Sequence, residues 1–200
     1  MSFTSVRRNH SNQAGSRESL GLLLKVLNEH RPGVLEELNK VARFATATAE
    51  SLGLSEDEVE RVELAARLHD VGTLAIPDSI LNKPGALFNE EWEIMCTHPE
   101  IGQRILASAP SLAHVADLVR FHHERYDGRG YPDGLAGEEI PIGASIVAVC
   151  VAFVAMMRDR PFSDAITVSE ALTEVRRCSG SQFDPSVADA FCGLLQLALA

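Results

Sequence analysis

Five side chains in this sequence have the types and grouping to hold a metal ion: the adjacent pair His69-Asp70, the single His98, and the adjacent pair His122-His123. Imidazole together with carboxylate suits Fe, Mn, Ni or Zn better than Ca, which prefers oxygen ligands. Neighbouring residues on a helix point about 100° apart, so a pair at a helix end serves either two ions, or one ion and the groups that orient its ligands. That geometry favours a binuclear centre. His10, His30 and His114 have no such neighbours and read as surface or tail histidines. Directly after His122-His123 runs the segment Asp127-Gly128-Arg129-Gly130-Tyr131-Pro132-Asp133-Gly134. Its glycines exclude helix, and the backbone amides of such a loop could cradle an anion beside the two histidines. On spacing alone a plainer reading stays open, in which the pairs are chance neighbours on solvated helix ends and the loop is an ordinary surface turn.

The elements that must position these residues are helices. Residues 1 to 17, rich in Ser, Asn and Arg with almost no apolar periodicity, read as a flexible tail ahead of one domain over residues 18–200. Leu20, Leu23, Leu24 and Leu27 share a helical face that Pro32-Gly33 ends, and Val34 to Leu52 repeats the pattern up to Gly53. Ser55 with Glu58 forms a capping box for a third helix, which places His69-Asp70 at its C-terminal end. Glu90 to Leu106 reads as one helix with His98 inside it, and Leu112 to His123 as another. Thr167 with Glu170, and Asp184 before Pro185, open the last two. No segment alternates with strand period, so the predicted fold is all-α, a single domain of about seven to nine helices.

Composition narrows the class. The chain has 200 residues, 46% of them hydrophobic and 23% charged, which places it among globular domains. Its 18 Lys+Arg against 28 Asp+Glu give a net charge of −10, which argues against a non-specific binder of nucleic acid or anionic membrane. The uncharged stretch Pro141 to Met157, interrupted by Gly143 and Ser145, falls short of the roughly 20 apolar residues of a membrane span and predicts a buried core helix instead. Cys96, Cys150, Cys178 and Cys192 form no paired pattern and read as reduced and mostly buried. Met1 to Gly15 contains Arg7, Arg8 and His10 and no apolar core of a secretory signal, so the expected location is the cytoplasm.

Longer strings carry a resemblance. His69-Asp70-Val71-Gly72, Ile76-Pro77-Asp78-Ser79-Ile80-Leu81-Asn82-Lys83-Pro84-Gly85 and His98-Pro99-Glu100-Ile101-Gly102 resemble the HD-GYP domain. So do His122-His123-Glu124-Arg125-Tyr126 with the glycine-rich loop that follows, and Gln182-Phe183-Asp184-Pro185. The likeness runs over about residues 20 to 195. It implies an all-helical member of the HD metal-dependent phosphohydrolase superfamily, whose usual activity is hydrolysis of the bacterial second messenger cyclic di-GMP. Carried over by position, it implies that His69, Asp70, His98, His122 and His123 are metal ligands, with Asp70 bridging two ions and His69 and Asp70 catalytic. The ions implied are Fe or Mn, one or two of them, assisting in-line displacement at phosphorus. The substrate implied is a cyclic dinucleotide or another small phosphate ester, contacted by Arg160, Gly130, Tyr131 and Pro132, and the Gly130-Tyr131-Pro132 loop is associated in the family with protein partners.

The departures from that pattern are specific. Glu37 stands where the family has its first histidine ligand, Val151 where it has the last aspartate ligand, and Val154 where a second aspartate of that helix falls. Thr73 replaces a lysine after the His69-Asp70 pair, and Asp164 stands where a lysine would contact phosphate. Loss of one charge-assisted hydrogen bond costs about 1.5–3 kcal/mol, and the new carboxylate adds repulsion. The pattern predicts a weakened or degenerate phosphodiesterase acting in second-messenger signalling, with no metal at all in the extreme case. The alternative is an active metal-dependent phosphodiesterase in which Glu37 replaces the lost ligand. A Glu37 side chain directed at His69 and Asp70 favours that alternative; one facing solvent favours a single-metal or empty site.

Overall fold

Capping and amphipathic spacing set the helices of the computed structural model, which describes residues 3–158 and 165–199. The helices are α1 (Phe3–His30), α2 (Val34–Ser51), α3 (Glu56–Leu68), α4 (Asp78–Leu81), α5 (Asn89–Met95), α6 (His98–Ala107), α7 (Ala116–Arg120), α8 (Ile142–Met156), α9 (Val168–Arg177) and α10 (Pro185–Leu199). Among the described residues there is no strand, only two isolated bridges, Asp127 with Ala136 and Ser179 with Phe183. The fold is all-α, and the short segments α4 and α7 bring the number of α-helices among the described residues to ten. Both expected capping boxes form, at Ser55/Glu58 and at Thr167/Glu170. Asp184 caps α10, its Oδ1 accepting from the N–H groups of Ser186 at 2.8 Å and Val187 at 3.1 Å.

Three boundaries differ from the sequence reading. Leu112 to His123, read as one helix, is a 3-10 turn, Ala113–Val115, followed by α7, which ends at Arg120 ahead of His122-His123. α1 begins at Phe3, so residues 3–17, read as a tail, continue the helix backbone; no proline precedes Pro32 to stop it. The stretch read as one helix around His98 is two helices, parted at Cys96-Thr97, with Pro99 in the first turn of α6. Proline fits a first turn because its missing N–H is one that has no helical partner there. His98 is therefore the first residue of a helix rather than an interior one.

α8 is the central element. It is apolar around most of its circumference and buries Ile146, Val147, Val149, Cys150, Phe153 and Val154, as its uncharged sequence predicts. Each fully buried aliphatic or aromatic side chain contributes about 1.5–3 kcal/mol. Phe44 of α2, Phe153 of α8 and Phe191 of α10 meet edge to face, with ring centroids 4.9–6.0 Å apart. These contacts lock the three helices into a platform against which α3 also packs. Among the described residues no helix is long and apolar enough to cross a membrane. All four cysteines are free, with Cys150, Cys178 and Cys192 buried.

Candidate metal centre

Every candidate ligand sits where a helix stops or starts. His69 is the C-cap residue of α3, and Asp70 leads into the 3-10 turn Val71–Ala75. Thr73 closes that turn, its N–H at 2.9 Å and its hydroxyl at 2.7 Å both donating to the Asp70 carbonyl. His98 opens α6, and His122-His123 follow the end of α7. Gly72 lets these ends meet: a Cβ on it would lie 1.9 Å from the His98 carbonyl oxygen and 2.7 Å from the Gly102 nitrogen. Only hydrogen in place of a side chain permits that approach.

Three of the imidazoles are held by one device. Nδ1 of His69 lies 2.8 Å from the Ala66 carbonyl oxygen, Nδ1 of His98 2.8 Å from that of Met95, and Nδ1 of His122 2.6 Å from that of Val119. A carbonyl only accepts, so each Nδ1 carries a proton, and Nε2 is the nitrogen left to face a metal. Nε2 of His98 and of His122 is buried without a hydrogen-bond partner. An orphaned buried atom of this kind costs about 1–3 kcal/mol, which coordination to a cation would remove. The ligand atoms of His98, His122 and His123 lie within 4.8 Å of one another. Asp70 Oδ1 lies 3.7 Å from His69 Nε2 and 4.0 Å from His98 Nε2. Two metal–ligand bonds of about 2.0–2.2 Å each bring donors to about 3–4 Å apart, so this donor set fits a divalent ion after small closing movements.

Electrostatics agree with that fit. Burial disfavours the charged imidazole and holds His98, His122 and His123 below the ordinary histidine range, the last two strongly, with neighbouring imidazoles adding to the effect. Burial pushes the Asp70 carboxyl up, but the charges of His69, Arg31 and His98 outweigh it and hold the carboxyl well below the usual carboxylate range. The cluster thus sets an ionised carboxylate beside His98, His122 and His123, whose uncharged form burial favours.

The glycine-rich loop buttresses the cluster. Tyr131 stacks on His123, with ring centroids 4.8 Å apart and 18° between the planes, and its N–H donates to the His123 carbonyl at 3.2 Å. Trp92 packs edge-on against Tyr131, with ring centroids 6.0 Å apart. Glu124, buried at 4% exposure, accepts from the N–H groups of Asp133 at 2.7 Å and Gly134 at 3.1 Å and so ties the loop down. Gly130 lies so close that a Cβ would be 2.4 Å from the Arg125 nitrogen. Little is left of the anion cradle that the loop could have formed: the amides of Asp127, Gly128, Arg129, Tyr131, Asp133 and Gly134 are spent on partners within the protein, and proline has none.

Glu37 turns inward, its side chain 13% exposed, but its partners are two arginines: Arg31 Nη2 at 3.5 Å and Arg158 Nη1. Arg31 Nη1 also donates to Asp70 Oδ2 at 2.7 Å. Glu37 therefore reaches Asp70 through Arg31. Val151 is half-buried and packs against the core, Val154 is buried, and α8 carries no carboxylate anywhere along its length. Arg160 and Asp164 lie outside the described residues, as does the side chain of His10. His114 is exposed as expected. His30 is half-buried instead of superficial, with Nε2 3.6 Å from Asp78 Oδ1. Arg31, Glu124 and Arg158 were invisible as site residues in the sequence reading. The only local hint was a cation, Arg31, directly before the Pro32-Gly33 break.

A family model described as HD domain matches residues 21–187, and the chain belongs to the HD domain family, within its HD-GYP group. A cyclic di-GMP phosphodiesterase response regulator, RpfG, from Xanthomonas campestris pv. campestris is 44% identical over 176 residues, covering 87% of this chain and 47% of the relative. A cyclic di-GMP phosphodiesterase from Thermotoga maritima is 42% identical over 175 residues, covering 86% of this chain and 48% of the relative. The chain thus spans about half the length of these curated relatives. Among solved structures, a cyclic GMP-AMP specific phosphodiesterase of Vibrio cholerae superposes with a TM-score of 0.69 at 20% identity, covering 90% of this chain and 48% of that one, which shows the shared fold.

Proposed function

We propose that this domain is a metal-dependent phosphodiesterase of cytoplasmic second-messenger signalling, directed at a cyclic dinucleotide and slow in turnover. The observation that carries the reading is the histidine cluster, with ligand atoms of His98, His122 and His123 within 4.8 Å of one another and Nε2 of His69 and His98 at 3.7 and 4.0 Å from Asp70 Oδ1. His69, Asp70, His98, His122 and His123 would hold the ion, with Fe or Mn the proposed metal. A divalent cation there supplies Lewis acidity at a phosphoryl oxygen and a more acidic water. The chain's own contribution is to keep the imidazoles neutral and oriented through Nδ1, to keep Asp70 ionised, and to fix His123 under Tyr131. The names of the relatives support cyclic di-GMP as substrate.

Slow turnover follows from what surrounds the ligands. α8 offers no carboxylate, and the hydroxyl of Thr73 is spent on the Asp70 carbonyl where the family resemblance expects a lysine. By sequence, Asp164 adds a negative charge where phosphate would want a positive one. Arg160 and the Gly130-Tyr131-Pro132 turn are the proposed substrate contacts, and exposed Arg129 beside that turn is the proposed contact for a protein partner. The test is incubation of the purified chain with cyclic di-GMP and Mn(II) or Fe(II), followed by chromatography. The expected result is slow appearance of the linear dinucleotide, abolished in His122→Ala. A metal-loaded chain that releases no product would overturn catalysis in favour of a binding module.

A further inference from the structure

We infer that the Arg31 guanidinium takes the place of a second cation beside Asp70, so that this centre binds a single divalent ion. The inference rests on the metal-centre reading above and deepens it.

The two oxygens of Asp70 have different partners. Oδ1 faces the imidazoles, 3.7 Å from His69 Nε2 and 4.0 Å from His98 Nε2. Oδ2 is engaged by Arg31 Nη1 at 2.7 Å, a charge-assisted hydrogen bond. A carboxylate that bridges two metals gives one oxygen to each; here the second oxygen already holds a fixed positive charge. The other guanidinium nitrogen of Arg31 lies 3.5 Å from Glu37 Oε2, and Arg158 also pairs with that carboxylate. Two carboxylates on this side thus face two guanidinium groups, and their charges cancel.

A second divalent ion would have to displace a cation that cannot be removed by deprotonation in the accessible pH range. Among the described residues α8, which packs against α2, offers no replacement ligand, since it runs from Ile142 to Met156 without a carboxylate or histidine. The imidazole side is different: three histidines have donor atoms within 4.8 Å of one another, and two of those histidines have orphaned Nε2 atoms. Among the described residues, the clustered histidine donors, with the orphaned Nε2 atoms of His98 and His122, belong to the imidazole side of Asp70, and an ion pair occupies its Oδ2. The other orphaned imidazole nitrogen, His30 Nε2, lies beside Asp78.

The test is stoichiometry. The chain is stripped, loaded with excess Mn(II), desalted, and assayed for bound metal by plasma emission and for its electron paramagnetic resonance spectrum. The expected result is one Mn(II) per chain with the spectrum of an isolated ion. Arg31→Ala frees Asp70 Oδ2 and Glu37 and should move the ratio toward two, with a spin-coupled spectrum. Arg31→Lys keeps the charge and should remain at one, which also controls for the fold of the alanine variant. Two ions in the wild-type chain would overturn the inference while leaving the metal centre intact. A ratio of one that is unchanged in a folded Arg31→Ala would overturn the role given to Arg31. A ratio of zero would overturn the metal centre itself.

Discussion

His122 is buried at 1% exposure, gives Nδ1–H to the Val119 carbonyl, and leaves Nε2 without a partner. A histidine kept for the core would use both nitrogens, so the orphan supports the proposed ligand role of His122 over a packing role. The distinction is measurable in metal-free protein. Replacing a structural core side chain costs about 2–5 kcal/mol. In His122→Leu the lost Nδ1 hydrogen bond is offset by removal of the orphaned Nε2, so chemical denaturation in chelator should show a change below about 1 kcal/mol. A loss of 3 kcal/mol or more, on the scale of that core range, would make His122 structural. Four of the five ligand candidates stood out in the sequence because they form adjacent His-Asp and His-His pairs; His98, a single histidine, had no such local mark. Arg31 could not, because its contact with Asp70 crosses 39 positions and leaves no local pattern. Glu37 was flagged, but the arginines that hold it were not.

At the scale of elements, the centre depends on helix ends being brought together. α3 delivers His69 at its C-cap, α6 starts with His98, and α7 ends just before His122-His123. The capping boxes at Ser55/Glu58 and Thr167/Glu170 and the start of α10 were legible because capping is local chemistry. The break between α5 and α6 was not, because apolar spacing continues across Cys96-Thr97 and only Pro99 signals a new first turn. Gly72 is the joint between the Asp70 turn and α6. Gly72→Ala would drive a methyl group into the His98 carbonyl, where the existing approach allows 1.9 Å. Overpacking of this kind costs about 3 kcal/mol, so a urea titration should show a loss near that size together with weakened metal binding. A stability within about 0.5 kcal/mol of wild type, the range of surface substitutions, would show that the two elements do not meet so closely.

For the whole molecule, the net charge of −10 argues only against polyanion binding; the decisive charges are a handful inside it. Asp70 and Glu37 lie among Arg31 and Arg158, while burial favours the uncharged form of His98, His122 and His123. The platform of α2, α8 and α10 carries no candidate ligand other than Glu37, and its role is to fix α3 from behind. All-α architecture was readable from periodicity, whereas the arrangement around the metal depended on contacts between distant helix ends. A cation bound by residues of α6 and of the turns after α3 and α7 ties together elements that otherwise meet only by packing. It should therefore stabilise the entire domain, by about 2.7 kcal/mol when free metal is a hundredfold above its dissociation constant. The most direct test is thermal unfolding of the stripped chain with and without Mn(II), in wild type and in His98→Ala. The expected result is a metal-dependent rise in Tm for wild type that His98→Ala abolishes. An equal rise in both proteins, or none in either, would contradict a metal centre built on these residues.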